Sequence, residues 1–272
     1  MRGARPERAL DAVVRRAVRF ERGARVCVAC SGGPDSVALA ALLDRLARED
    51  EYDVVLAHVN HGVRASAGQD ECVVLSAGAR LGRRVVVARP PVAGDDEAAL
   101  RDARYAALAE LADAAGANAV ATAHTAEDQT ETVLLALFRG TGVDGLAGMP
   151  PRRPLTERIE LVRPVLRVTH AELATELRRS ALPYALDPTN DQTRYRRNAL
   201  RAPLAALREE FPRLDRAVAR CAEIVRGELA RSGRAQARRA LRDALRERNL
   251  LRDVPFERIE AMLDAGEPRP GA

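Results

Sequence analysis

Four short apolar runs, each followed by a helical pattern, constrain this chain more than any other feature. The runs are Val26 to Cys30, Val54 to His58, Arg84 to Ala88 and Ala119 to Ala123. The segments behind them, Asp35 to Ala47, Gln69 to Leu81, Asp96 to Ala115 and Ala126 to Phe138, repeat apolar residues at helical spacing. Strands alternating with helices of this length predict a parallel sheet covered on both faces, since right-handed crossovers return each strand to the same sheet. The expected class is α/β, a Rossmann-like doubly wound parallel sheet, preceded by a helix over Glu7 to Phe20. Such sheets hold ligands beyond the carboxyl ends of their strands. The four post-strand segments are "SGGPDS", "VNHGVRAS", "RPPVAGDD" and "HTAEDQ", so the polar and Gly-rich residues fall where this fold places a site.

Beyond Gly140 the pattern dissolves into Gly, Pro and Arg until about Pro164. A helix is then expected from Thr169, with Glu172 three residues on as a capping box. The stretch "DPTNDQTRYRRN" reads as a loop closing the first domain, and from Ala206 onward the sequence is helical and rich in alanine and arginine. The expected division is a nucleotide-binding domain over 1–205 and a smaller all-helical domain over 206–272. With 272 residues, 47% of them hydrophobic, the chain has enough apolar material for a core. Arginines interrupt every run approaching membrane-span length, and four scattered cysteines (27, 30, 72 and 221) make no disulfide framework. A cytoplasmic protein with no membrane partner is expected.

All 44 basic residues are arginine. With no lysine in the chain, a P-loop of the G-x-x-x-x-G-K-[ST] kind is excluded. Tryptophan is absent and aromatics are 3% of residues, which argues against binding bases on a broad aromatic platform. Between Arg201 and Leu250 stand 13 arginines against 7 acids, a surplus of six in a chain whose whole net charge is +5. That places the expected polyanion contact in the helical part.

In "CSGGPDS" the first strand ends at Cys30, and Gly32 and Gly33 allow a tight turn with close backbone approach. Pro34, Asp35 and Ser36 open the next helix. Exposed amides, the Ser31 and Ser36 hydroxyls and the positive end of a helix dipole suit a phosphate. Asp35 would repel that anion unless Mg²⁺ lay between them, and it is equally suited to capping the helix. The segment resembles the S-G-G-x-D-S signature of the PP-loop, or N-type, ATP pyrophosphatase superfamily, whose members adenylate a substrate and release pyrophosphate. The resemblance implies that Ser31, Gly32, Gly33, Pro34, Asp35 and Ser36 hold the pyrophosphate part of ATP, with Mg²⁺ at Asp35.

Several enzymes share that loop, tRNA thiolases among them. "AHVNHGVR", "ALRDARYAAL", "ATAHTAEDQTETVLLALFRGTGVDGLAGM" and "DPTNDQTRYRRNALR" resemble the tRNA(Ile)-lysidine synthetase family, in the family's order, across roughly residues 25 to 201. The resemblance implies ATP-dependent joining of free L-lysine to the wobble cytidine of an isoleucine tRNA with a CAU anticodon. It implies that His124 and Asp128 position cytosine and handle the proton lost by the attacking ammonium, since a protonated amine cannot attack. Without the resemblance, the same turn reads as a solvated helix start shared with Glu127 and Glu131. Arg104 and Arg197 are the implied phosphate or transition-state contacts. Arg194, Arg196 and Arg201 are assigned to the tRNA, with the choice among 194, 196 and 197 left open.

His58 and His61 form an H-x-x-H that lacks a third ligand nearby, so loop-fixing and nucleobase-lining roles are expected rather than metal binding. Cys27 and Cys30 form a C-x-x-C whose residues fall on and at the end of a strand, where they read as small buried apolar groups. This matters because the alternative, a PP-loop thiolase such as a 2-thiocytidine synthetase, needs reactive or cluster-binding cysteines. Larger members of the lysidine family carry a further C-terminal domain, so tRNA discrimination is assigned only broadly to the helical part. The sequence is compatible with a homodimer without specifying one.

Overall fold

The computed structural model describes residues 9–60, 67–90, 97–185, 196–247, 254 and 256–264. His61 and Arg194 lie outside the described residues. The chain divides into two compact units, residues 1–127 with 150–194, and residues 128–149 with 195–272.

The first unit is built on a six-stranded sheet. In chain order its strands are β1 (Arg25–Ala29), β2 (Asp53–Val59), β3 (Val85–Ala88), β4 (Ala119–Ala121), β5 (Arg152–Pro154) and β6 (Glu160–Val162). Their spatial order is β3-β2-β1-β4-β6-β5, and every pairing is parallel except β5 with β6. The doubly wound parallel sheet expected from the sequence is present. The chain runs from β1 outward to β2 and β3, then returns to place β4 on the other side of β1. That reversal makes a switch point between β1 and β4, where loops leaving adjacent strands diverge and open a crevice.

Strand β1 shows why its sequence is apolar after Arg25. Successive side chains alternate between faces, and both faces are covered. Val26 and Val28 pack with Leu39, Leu42 and Leu43 of α2 (Pro34–Asp50), while Cys27 packs with Leu108 and Ala112 of α4 (Glu97–Ala114). α1 (Ala9–Ala17) and α7 (His170–Ser180) complete the α2 side, and α3 (Ala67–Leu81) follows β2. Arg45 of α2 bridges the buried carboxylates of Asp11 on α1 and Glu176 on α7. The Thr169–Glu172 capping box is formed, with the Thr169 hydroxyl accepting from the Glu172 amide at 3.3 Å and Glu172 Oε2 accepting from the Thr169 amide at 2.9 Å.

The sequence reading missed three elements. β5 and β6 are three residues each, too short to show a period, and β5 is an edge strand that tolerates Pro154. A short helix, α6 (Gly142–Leu146), also falls in the segment read as irregular. The loop expected to close the first domain ends earlier, because α8 (Arg196–Glu210) begins within "RYRRN".

The second unit contains most of α5 (Ala126–Phe138), which the division crosses after Glu127, together with α6, α8, α9 (Leu214–Arg231), α10 (Gly233–Glu247) and α11 (Phe256–Asp264). Several of its arginines face inward. Arg238 is buried, donates to Asp144 at 3.0 Å and Glu260 at 3.1 Å, and lies over the Phe256 ring. Arg226 donates to the carbonyls of Ala147 and Met149, and Arg208 pairs with Asp215 at 2.8 Å. Part of the arginine surplus therefore joins helices together, which a count of charges cannot distinguish from a polyanion surface.

Candidate active site

The β1–α2 turn is organised by its own hydroxyls. Ser36 Oγ donates to the Gly33 carbonyl at 2.9 Å and accepts from the Ser31 amide at 3.1 Å; the Ser31 and Ser36 hydroxyls are also 3.1 Å apart. Gly33 caps α2 without a side chain, and Pro34 opens it, where its missing amide hydrogen costs nothing. Gly32 has φ +91°, and a Cβ there would sit 3.0 Å from the Asp70 carbonyl of α3. Both backbone conformation and space therefore require glycine. The turn is held from below by His58, buried at the end of β2, whose Nδ1 lies 2.8 Å from the Cys30 carbonyl. A carbonyl can only accept, so Nδ1 carries the hydrogen. His58 Nε2 is buried with no hydrogen-bond partner among the described residues.

Asp35, in the first turn of α2, faces the start of α7: its Oδ2 is 2.9 Å from His170 Nδ1. The His170 amide in turn donates to Glu127 Oε1 at 3.0 Å. Glu127 is only 9% exposed, and its second oxygen has no partner among the described residues. Sequence reasoning placed neither His170 nor Glu127 in the site. No spacing signal links them, because they meet from segments 43 positions apart.

After β4 the Thr122 amide donates to the Val162 carbonyl of β6, and Thr122 Oγ1 lies 2.8 Å from His124 Nδ1. The Thr122 hydroxyl also donates, at 3.4 Å, to the Val162 carbonyl. Its lone pairs are then left for a hydrogen on His124 Nδ1. His124 precedes α5, whereas Asp128 lies within it. The solvated-turn reading of Glu127 and Glu131 also fails, since both are buried.

The expected residues divide between the units. Ser31 to Ser36, His58, Arg104 and His124 belong to the first, where Arg104 is exposed on α4. Asp128, Arg196, Arg197 and Arg201 belong to the second. There Asp128 is half-buried in α5, and Arg201 pairs with buried Glu131 at 3.4 Å. The backbones of Arg196 and Arg197 open α8, but their side chains lie outside the described residues. Cys27 and Cys30 are buried: burial pushes the Cys27 thiol up to about 11 and raises that of Cys30 as well. Among the described residues no three His, Cys, Asp or Glu side chains converge as a metal site, and no helix is long and apolar enough to cross a membrane.

A strand, a hydroxyl-braced Ser-Gly-Gly turn and a helix at the switch point of a doubly wound sheet define a PP-loop nucleotide-binding domain. The PP-loop domain family matches residues 6–207. A tRNA(Ile)-lysidine synthase of Ralstonia nicotianae is 42% identical over 204 residues, covering 72% of this chain and 44% of that protein. One of Salinispora tropica is 40% identical over 225 residues, covering 79% of this chain and 67% of that protein. The chain belongs to the tRNA(Ile)-lysidine synthase family. It spans less than half the length of the Ralstonia relative. The fold is also that of a U34-tRNA thiolase, NcsA, from Methanococcus maripaludis, solved with its 4Fe-4S cluster: the TM-score is 0.67 at 15% identity, covering 79% of this chain and 77% of that one.

Proposed function

We propose that this protein joins free L-lysine to C2 of the wobble cytidine of an isoleucine tRNA with a CAU anticodon, consuming ATP. The cytosine 2-oxygen attacks the α-phosphorus of ATP and pyrophosphate leaves, making C2 reactive as an adenylate. The lysine ε-amine then attacks C2, AMP departs with the former oxygen, and the amine gives up its protons. The observation that carries this reading is the placement of the braced Ser31–Ser36 turn and the Thr122–His124 segment on adjacent strands at the β1/β4 switch point.

ATP enters as the magnesium complex. Ser31, Gly32, Gly33 and Ser36 receive its pyrophosphate part, and Asp35 is the carboxylate that suits the accompanying cation. His58 fixes the loop from beneath, and His124, held against the Thr122 hydroxyl, is assigned to positioning the cytosine and taking the amine proton. Asp128, Arg104, Arg197 and the tRNA contacts Arg194, Arg196 and Arg201 keep the roles that the family resemblance implies. A sulfur-transferring alternative has less support, since Cys27 and Cys30 are buried with raised thiol pKa values and Cys72 and Cys221 are isolated on α3 and α9.

The test is transfer of radiolabelled lysine to an unmodified isoleucine tRNA transcript, with and without ATP, with a methionine tRNA as control. ATP-dependent label on the isoleucine tRNA alone is expected. AMP formation on tRNA without lysine incorporation would overturn the lysine step while keeping adenylation.

A further inference from the structure

The opposite flank of the first unit carries a group of arginines that the reading above does not use. Tyr105 of α4 is approached by two of them: the Arg153 guanidinium carbon lies 4.9 Å from its ring centroid and that of Arg101 lies 5.4 Å away. Beside them Arg163, 1% exposed, follows the end of β6 and donates to the Pro150 carbonyl at 2.7 Å. Its Nε has no partner among the described residues. Burial and the neighbouring Arg153 and Arg101 charges hold its pKa below the usual arginine value.

The charge balance is unusual. Arg153 donates to the Pro154 carbonyl, and among the described residues no carboxylate pairs with Arg101, Arg153 or Arg163. By contrast Arg152, the adjacent residue on β5, is paired with Glu160 at 3.1 Å. Two like charges on one phenol ring repel each other and the neighbouring Arg163, and a desolvated guanidinium without a counter-charge is costly. The ring face offsets part of this by cation–π attraction, while the guanidinium N–H groups lie in the planes of their own forks and remain available to an anion. Val162 pairs with Ala121, so Arg163 emerges at the same end of the sheet as Thr122 and His124.

We propose that Arg101 and Arg153, steadied by Tyr105 and backed by Arg163, form a phosphodiester-binding site for the backbone of the RNA substrate. The proposal rests on the reading of that substrate as tRNA. Nucleotide triphosphate is assigned to the β1–α2 turn, two strands away from β6 in the sheet order. Two half-buried guanidiniums at the sheet edge suit a strand passing along the surface, with each fork taking phosphate oxygens bidentately.

The experiment measures equilibrium binding of the full chain to the unmodified isoleucine tRNA transcript across a potassium chloride series, with ATP affinity measured separately. Arg101→Gln and Arg153→Gln are each expected to weaken tRNA binding roughly tenfold at low salt. Each should also lower the slope of log affinity against log salt by about one, because one fewer phosphate is neutralised. Arg152→Gln should change neither quantity, and a double Arg101→Lys, Arg153→Lys variant, which keeps both charges, should retain the slope. ATP affinity should be unaltered throughout.

An unchanged slope in an Arg101→Gln, Arg153→Gln double variant with native melting would overturn the site. So would a loss of ATP affinity with tRNA binding intact, or a wild-type chain that does not bind the transcript. The two readings fail separately. If wild type binds tRNA with the Arg101- and Arg153-dependent slope yet transfers no lysine, the site stands and the ligase reading falls. If lysine is transferred and the slope ignores both arginines, the reverse holds.

Discussion

His170 Nδ1 lies 2.9 Å from Asp35 Oδ2, so the carboxylate in the first turn of α2 is held by the residue that opens α7. Each side chain is partly exposed, which makes this a geometric constraint more than a source of stability. One oxygen faces His170, which fixes the plane in which the other can meet a cation. His170→Asn keeps a donor near the Nδ1 position and His170→Ala removes it. We expect AMP formation to fall about tenfold in His170→Ala, the scale of one hydrogen bond to a charged group, and to recover most of that loss in His170→Asn. Asp35→Asn should lower the rate by two orders of magnitude or more, on the order expected when a charge at a phosphate centre is lost. Steady-state assays across a magnesium series check this: His170→Ala should raise the magnesium requirement, whereas equal rates at every magnesium concentration would show that His170 does not position Asp35.

Glu127 anchors the same corner from the other side. Its Oε1 accepts the His170 amide hydrogen at the start of α7, and it is buried. Removing the acceptor in Glu127→Ala leaves an amide without its partner and should cost about 1–3 kcal/mol in denaturant unfolding. Glu127→Gln keeps the acceptor oxygen and should cost no more than about 1 kcal/mol. Equal losses in the two variants would mean that the bond to His170 contributes nothing.

The sheet was legible where burial on two faces demanded continuous apolar sequence. β1 to β4 follow from that requirement, as does the turn after β1, where Gly32 must adopt φ +91° beneath Asp70. β5 and β6 were not legible, because three residues are too few to show a period, and β5 is Arg152, Arg153 and Pro154 with no apolar excess. The site divides in the same way. Ser31 to Ser36 are contiguous and announce themselves, whereas Glu127 and His170 are joined by the approach of the start of α7 to the first turn of α5. Arginine content misled in one respect: Arg208, Arg226 and Arg238 look like surface charge in sequence but engage Asp215, the Ala147 and Met149 carbonyls, and Asp144 with Glu260.

The cysteines give a test of the chemistry that needs no tRNA. The Cys27 thiol is pushed up to about 11 by burial, so at pH 8 roughly one molecule in a thousand carries the thiolate, the form that alkylating agents attack. Cys30 is raised in the same direction for the same reason. Raising the pH toward 9 increases the Cys27 thiolate tenfold but leaves it a minor species, so labelling should stay slow. Iodoacetamide on the folded protein should modify Cys72 and Cys221, both exposed, and in denaturant all four. Mass spectrometry showing rapid native labelling of Cys27 or Cys30 would contradict their burial and restore weight to sulfur chemistry.

Two glycines in the second unit separate backbone strain from crowding. Gly140 and Gly148 both have positive φ, +65° and +58°. A Cβ on Gly140 would meet nothing within 4 Å, whereas one on Gly148 would lie 2.8 Å from Gln129 Oε1. Gln129 cannot yield easily, because it is buried and bonded at both ends to Met149, accepting from its amide at 2.8 Å and donating to its carbonyl at 3.1 Å. Gly140→Ala should therefore cost only the left-handed conformation, about 1–2 kcal/mol. Gly148→Ala carries that cost and also displaces the Gln129 amide from one or both bonds, adding about 1–3 kcal/mol. Denaturant unfolding of the two variants measures the difference directly: equal destabilisation would mean that Gln129 moves aside freely and does not fix the turn after α6.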